Sequence, residues 1–228
     1  MTALVHDLQR YGIDFHAVVP FDPAKEQLSA INLTASNTFL TEELVADTKL
    51  FSEYIDGERN KKDCRYLIGG YGEHRTIYGR STVFDQGEEP RRLHLGLDVW
   101  GEAGTPVMAA MDGIVHSFGF HQQFGDYGAT IILEHYWRGH HFYSLYGHLS
   151  RADLQLKEGE RISAGSVFAH FGVPEENGWW PPHLHIQLIT DLEGGRGDYP
   201  GVCRYSEKEM YLANCPDPDL FCRLYRYI

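Results

Sequence analysis

ATIILEHYWRGHHFYSLYGH, residues 129–148, is the stretch whose reading decides the fold. Ala129–Tyr136 and His141–His148 are runs rich in β-branched and aromatic residues, joined through Trp137-Arg138-Gly139-His140. Two such runs across a short, glycine-bearing connection predict an antiparallel hairpin. The same texture extends outward from it. RYLIGGYG (65–72), TVFDQG (82–87), VMAAMDGIVHSFG (107–119), RISAGSVFAHFG (161–172) and HLHIQLI (183–189) are short extended runs punctuated by glycine. No long helical pattern interrupts them, so the expected class is mainly β, a compact antiparallel sheet or barrel-like domain.

The N-terminal part reads differently. A short helix is expected over Ala3–Arg10, and a longer amphipathic one carries Leu40, Leu44, Phe51 and Ile55 near one face. Asn37 or Thr41 is its expected cap, Glu42 and Glu43 suit its positive end, and Gly57 is its expected stop. The polar run GERNKKD (57–63) then marks a boundary. The expected organisation is an α-containing extension over 1–63, a β-rich domain over 64–195 and a loop-rich tail over 196–228. GGRGDYPG and CPDPD supply the turns of that tail.

Composition narrows the function classes. The 228 residues carry 20 basic against 32 acidic side chains, a net charge of −12, with no basic cluster. Nucleic acid and anionic membrane surfaces are therefore poor partners. The four cysteines, Cys64, Cys203, Cys215 and Cys222, show no C-x-x-C spacing, which argues against a metal knuckle and fits reduced thiols. No apolar run is long enough to span a bilayer, and the first residues lack the pattern of a signal peptide. The expected compartment is therefore the cytoplasm; the oligomeric state is open.

The chemistry concentrates in His183-Leu184-His185 and His94-Leu95-Gly96-Leu97-Asp98. Histidines two apart on a strand share a face and aim at one point. Imidazoles plus one carboxylate, with a position left for water, are the donor set of a hydrolytic zinc site. Taken alone, each pair also has an ordinary reading, as exposed histidines on an edge strand or a surface His–Asp contact. Tyr146-Gly147-His148 adds a third histidine at a strand end, beside a glycine that opens space for a cleft.

HLGLDVWGEAGTPVMAAMDGIVHSFG (94–119), GDYGATIILEH (125–135), YSLYGHLS (143–150), LKEGERISAGSVFAHFG (156–172) and PPHLHIQL (181–188) follow in this order. This succession resembles the catalytic domain of the lysostaphin-type (LytM-type) zinc metallopeptidases, over roughly Arg92 to Ile189. The resemblance implies a compact antiparallel β domain with a metal in a groove. It implies zinc held by His94, Asp98 and His185, with His148 and His183 serving catalysis in roles it does not divide. Its usual substrates are peptidoglycan-type peptides. Degenerate members with the same fold act as non-catalytic binding or regulatory modules, and an intracellular zinc hydrolase of a small amide is a third class.

IGGYGEHRTIY (68–78), NGWWPPHLHIQLITD (177–191), DYPGV (198–202) and CPDPD further resemble one branch of that family. There the module lies between a kinase-like phosphotransferase and a class III aminotransferase. This likeness suggests that Tyr71, Glu73 and Arg75 reach the groove and gate it. Trp179 and Trp180 offer an aromatic wall for substrate or a cover for the barrel mouth. His116, His121, His135, His140, His141 and His170 are expected to be structural or solvent-facing, with His135 the nearest to a supporting role at the metal.

Overall fold

The computed structural model describes residues 2–11 and 15–228. Its strands are β1 (Leu28–Ile31), β2 (Tyr66–Gly69), β3 (Leu93–His94), β4 (Leu97–Trp100), β5 (Pro106–Met108) and β6 (Gly113–His121). They continue as β7 (Gly128–Trp137), β8 (His140–Leu149), β9 (Arg161–Ile162), β10 (Val167–His170), β11 (His183–Ile189) and β12 (Val202–Cys203). The helices are α1 (Ala3–Tyr11), α2 (Glu42–Ala46), α3 (Thr48–Lys61), α4 (Lys208–Asn214) and α5 (Asp219–Cys222).

Eight strands form one sheet in the order β1-β2-β4-β11-β8-β7-β6-β9. The chain is mainly β, as its texture implies. Two details differ from a purely antiparallel barrel. β1 pairs with β2 in parallel, so the sheet is mixed, and its order runs from β1 to β9 without closing on itself. The hairpin of residues 129–148 is present as β7–β8, and its turn is Arg138-Gly139. Both turn residues have positive φ, 50° and 82°, the backbone that a two-residue hairpin turn requires.

β11 lies between β4 and β8, and all seven of its residues are buried. Alternation divides its side chains between two environments. Leu184, Ile186 and Leu188 enter the main core with Leu97, Val99, Ile131, Leu133 and Tyr146. On the other face, two smaller apolar clusters flank the polar side chains. One contains Tyr78, Phe84, Trp100, Trp180 and Val202; the other contains Ile132, Leu145, Ile189, Tyr199 and Cys215. His183, His185 and Gln187 lie on that face, buried in a seam that opens into a cavity.

The N-terminal residues are built into this body. Leu4 and Leu8 of α1 belong to the main core, and β1 extends the sheet edge. The expected single amphipathic helix is two. Thr41 caps α2, its Oγ1 accepting from the Leu44 amide at 3.2 Å. Asp47 then starts α3 by accepting from the amides of Lys49 and Leu50, at 2.8 and 3.0 Å. Gly57 does not stop the helix, which continues to Lys61. An exposed helical glycine costs only about 1 kcal/mol against alanine, and burial of Phe51 and Ile55 outweighs that. In the tail, β12 pairs with β3, setting Val202 opposite His94. All four cysteines are free and buried.

His135 does not support the metal site. Its Nδ1 faces the Asp112 carbonyl at 2.9 Å, its Nε2 faces Ser144 Oγ at 2.7 Å, and it packs against Phe142 and Phe221. Burial lowers its pKa from 6.5 to about 4. Between those values the unfolded chain takes up a proton that the folded ring refuses, so stability falls as pH falls from about 6.5 towards 4. Over that window His135 accounts for about 3 kcal/mol. Urea midpoints measured from pH 7 to 4.5 should decline less steeply in His135→Gln, which does not titrate, than in the unaltered protein. Equal slopes would refute this assignment.

Candidate metal centre and active site

The strand register assembles the centre. β4 pairs with β11 so that Asp98 stands opposite His185, and the β3–β12 pair carries His94 alongside. His94 Nε2, His185 Nδ1 and Asp98 Oδ1 form a triangle with sides of 3.0, 3.1 and 3.2 Å. Ligands of tetrahedral zinc at 2.0–2.1 Å stand about 3.4 Å apart, so the triangle is near the size a zinc ion needs.

Protons fix which atoms face inward. His94 Nδ1 lies 2.9 Å from the Gly70 carbonyl, which only accepts, so this nitrogen carries the hydrogen and Nε2 is bare. His185 Nε2 lies 3.0 Å from Gln187 Oε1, while the Gln187 amide donates to the Pro200 carbonyl, so His185 Nδ1 is bare as well. Two nitrogen lone pairs and a carboxylate oxygen thus converge with no hydrogen between them. A cation satisfies that arrangement, and these donors suit zinc.

All three groups are buried. Burial lowers the His94 pKa to about 4, with the Arg75 charge adding to the effect. Burial alone would raise the Asp98 carboxyl, but the His94 ring and the permanent positive charge of Arg75 hold it well below the usual carboxylate range. Both groups are therefore in their ligating forms at neutral pH.

His183 and His148 stand beside the triangle without joining it. The His183 ring stacks on Trp100 with centroids 3.9 Å apart, and its Nδ1 donates to the Pro181 carbonyl at 2.8 Å. The His148 ring lies 4.1 Å from that of His183, and its Nδ1 donates to the Asn177 carbonyl at 2.7 Å. Each ring consequently has a bare Nε2. Burial lowers His183 to about 4 and His148 well below its ordinary value, so both are neutral bases.

His148 reaches the cavity through a break in alternation. Tyr146 points into the main core, so a regular strand would send His148 there too. The β7–β8 register shifts here, with Ala129 and Ile131 facing Leu149 and Tyr146, so β8 carries one extra residue. His148 takes φ of +61° at this bulge, and its ring lines the cavity instead.

The cavity holds about 160 Å³. Two short helical turns, Thr76–Arg80 and Thr82–Phe84, form a roof in the sense that their Ile77, Tyr78, Val83 and Phe84 line it. Tyr78, Phe84 and Trp180 form its aromatic walls, with Arg91, Asp126 and Asp198 among its polar residues. Trp180 is buried in the wall, whereas Trp179 is partly exposed beside α3, its carbonyl accepting from Thr48. Several contacts clasp the roof: Ser81 Oγ donates to the Phe124 carbonyl, Arg91 Nη2 to the Val83 carbonyl at 2.6 Å, and Arg80 lies over Trp180 and Phe124.

Glycines make room for the rings. A Cβ on Gly96 would fall 2.3 Å from His185 Cε1, and one on Gly201 would fall 1.8 Å from the Tyr127 hydroxyl. Of the three residues expected to gate the groove, only Arg75 lines it, and as a fully buried group. Tyr71 is turned away, its hydroxyl donating to the Cys215 carbonyl at 2.6 Å, and Glu73 pairs with Arg75 at 2.7 Å. Sequence reasoning passed over Gln187, although it continues the alternation of His183 and His185. It also passed over the Gly70, Asn177 and Pro181 carbonyls, which carry no side-chain signal.

Residues 92–196 match the model of peptidase family M23. An L-Ala–D-Glu endopeptidase of Bacillus subtilis is 32% identical over 133 residues, covering 53% of this chain and 39% of that protein. The peptidoglycan DD-endopeptidase ShyC of Vibrio cholerae is 30% identical over 112 residues, covering 45% and 23%. The chain thus spans less than two-fifths of the length of these relatives. Among solved structures, the catalytic domain of lysostaphin from Staphylococcus simulans aligns at 20% identity and a TM-score of 0.42, covering 75% of this chain and 97% of that one. By sequence, residues 92–196 are M23-like, and that segment contains His94, Asp98, His148, His183 and His185, every group of the centre described above.

Proposed function

We propose that this protein is a zinc-dependent endopeptidase that hydrolyses peptide bonds in short or cell-wall-type peptides. One observation carries the reading: three bare ligand atoms converge within 3.2 Å of one another, beside two neutral imidazoles with bare Nε2 atoms. A zinc ion held by His94, Asp98 and His185 supplies a Lewis acid that polarises water and a substrate carbonyl. The neutral rings of His148 and His183 do the proton work: one bare Nε2 accepts the proton of the attacking water and, as imidazolium, passes that same proton to the leaving amine, while the other Nε2 accepts a hydrogen bond that holds the water in line for attack. Buried backbone carbonyls fix both tautomers, so the Nε2 atoms are the ones available.

The curated relatives support the reaction class, and the cavity limits the substrate. At about 160 Å³ it lies below the range of roughly 300–1,000 Å³ typical of drug-sized ligand sites. Small residues such as glycine or alanine at the cut bond suit that space. The resemblance read from residues 68–78, 177–191 and 198–202 to an aminotransferase-linked branch is the reason to add short peptides and small amides to the substrate panel. A binding-only module is the weaker alternative, because all five groups of the centre are present.

Mass spectrometry of peptidoglycan fragments, free stem peptides and intact sacculi, incubated with zinc-loaded protein and with a chelated control, tests the function. Chelator-sensitive cleavage is expected, with free short peptides cut faster than intact sacculi. No cleavage of any panel member by zinc-loaded protein would overturn the peptidase reading. Variants separate the roles. His185→Ala should abolish both bound zinc and turnover. His148→Ala and His183→Ala should retain zinc while kcat falls about 10²–10⁴-fold. Full turnover in a folded His185→Ala protein would rule out this centre.

A further inference from the structure

We infer that Arg75 is a positioning residue of the metal centre: its one guanidinium holds Asp98 to single-oxygen ligation and, through the Gly70 carbonyl, holds the His94 ring. This inference rests on the zinc reading above.

Asp98 divides its oxygens. Oδ1 belongs to the ligand triangle, and Oδ2 accepts from Arg75 Nη1 at 2.5 Å. An oxygen held by a buried guanidinium cannot swing onto the same cation, so Asp98 contributes one ligand atom. Two oxygens from Asp98 would fill a position that a hydrolytic centre keeps open for water or substrate. Arg75 Nη2 also donates to the Gly70 carbonyl at 3.3 Å, the oxygen that accepts from His94 Nδ1 at 2.9 Å. Two of the three ligands are therefore oriented through one side chain.

The surroundings are shaped for this guanidinium. Arg75 is fully buried, and its Nε donates to Glu73 Oε2 at 2.7 Å. Glu73 is itself fixed by the Leu33 amide at 3.2 Å, and Tyr78 closes the other side at 3.3 Å from Nη1. A Cβ on Gly69 would come within 2.8 Å of Arg75 Nη2, so glycine there makes space. A bare cation beside a zinc site would repel the metal. Glu73 offsets that charge, leaving Glu73, Arg75 and Asp98 with one net negative charge between them.

A lysine would keep the charge but cannot reach Glu73, Asp98 and Gly70 at once, because only the planar fork presents donors in those directions. Zinc affinity measured by competition with a chromogenic chelator, together with the visible spectrum of cobalt-substituted protein, tests the inference. Both readouts are independent of turnover. Arg75→Lys should bind zinc about 10–100-fold more weakly, the range usual for groups that orient metal ligands. Its cobalt bands should weaken as Asp98 adds its second oxygen. Glu73→Gln should shift both readouts in the same direction by less.

A folded Arg75→Lys protein with unaltered affinity and spectrum would show that charge alone suffices and would overturn the positioning role. Should Arg75→Lys fail to fold, Glu73→Gln decides, and unaltered values there count against the inference. Absence of zinc binding in the unaltered protein would overturn the metal reading and this inference with it.

Discussion

The alternation of side chains along β11 is the constraint on which the rest of the structure depends. Leu184, Ile186 and Leu188 anchor the main core, and the residues alternating with them, His183, His185 and Gln187, form the polar seam on the other face. A one-residue slip in register would exchange the two sets, burying imidazoles in the apolar core and emptying the centre. Folding and site assembly are thus a single event. Pairing of β11 with β4 and β8 brings Asp98 opposite His185 and Gly147 beside it. The glycine there also leaves space for Tyr127, whose ring a Cβ would strike at 2.6 Å.

That economy has an electrostatic consequence. Five titratable groups are buried side by side, and desolvation disfavours the charged forms of His94, His148 and His183 among them. Neutral rings suit both ligation and base catalysis, so burial alone puts His94, His148 and His183 in the forms the chemistry needs. The same burial leaves three bare acceptor atoms within 3.2 Å of one another, an arrangement that destabilises the metal-free fold. A cation bound there stabilises the fold in proportion to its occupancy, by about 4 kcal/mol at a thousand times the dissociation constant. A cation held there would therefore bear on the stability of this fold as well as on the chemistry proposed for it.

The sequence disclosed these features unevenly, for physical reasons. The β7–β8 hairpin was legible because its apolar runs and its glycine turn are local signals. The HxH face was legible from period two. Which histidine joins the triangle with Asp98 was not: His183 and His185 share spacing and face, and what separates them is non-local. His183 is stacked on Trp100 and bonded to the Pro181 carbonyl, whereas His185 meets Asp98 and Gln187. The division between ligation and catalysis came only as what the resemblance to a known family implies. The break between α2 and α3 was missed because Asp47 caps a new helix one residue after the last ends. The Arg75 network was missed because GGYGEHR has no periodicity, and its partner Asp98 lies 23 residues further on.

The two short helical turns over residues 76–84 enclose this geometry. Their own Ile77, Tyr78 and Phe84 are buried, each worth about 1.5–3 kcal/mol on burial. Ser81 and Arg91 add hydrogen bonds worth about 1 kcal/mol each. Lifting the roof then costs on the order of 5–10 kcal/mol, which leaves an open form at well under a thousandth of the population. The packing that holds these turns down also keeps water from His148 and His183, so the enclosure of the cavity and the neutrality of both rings have one cause.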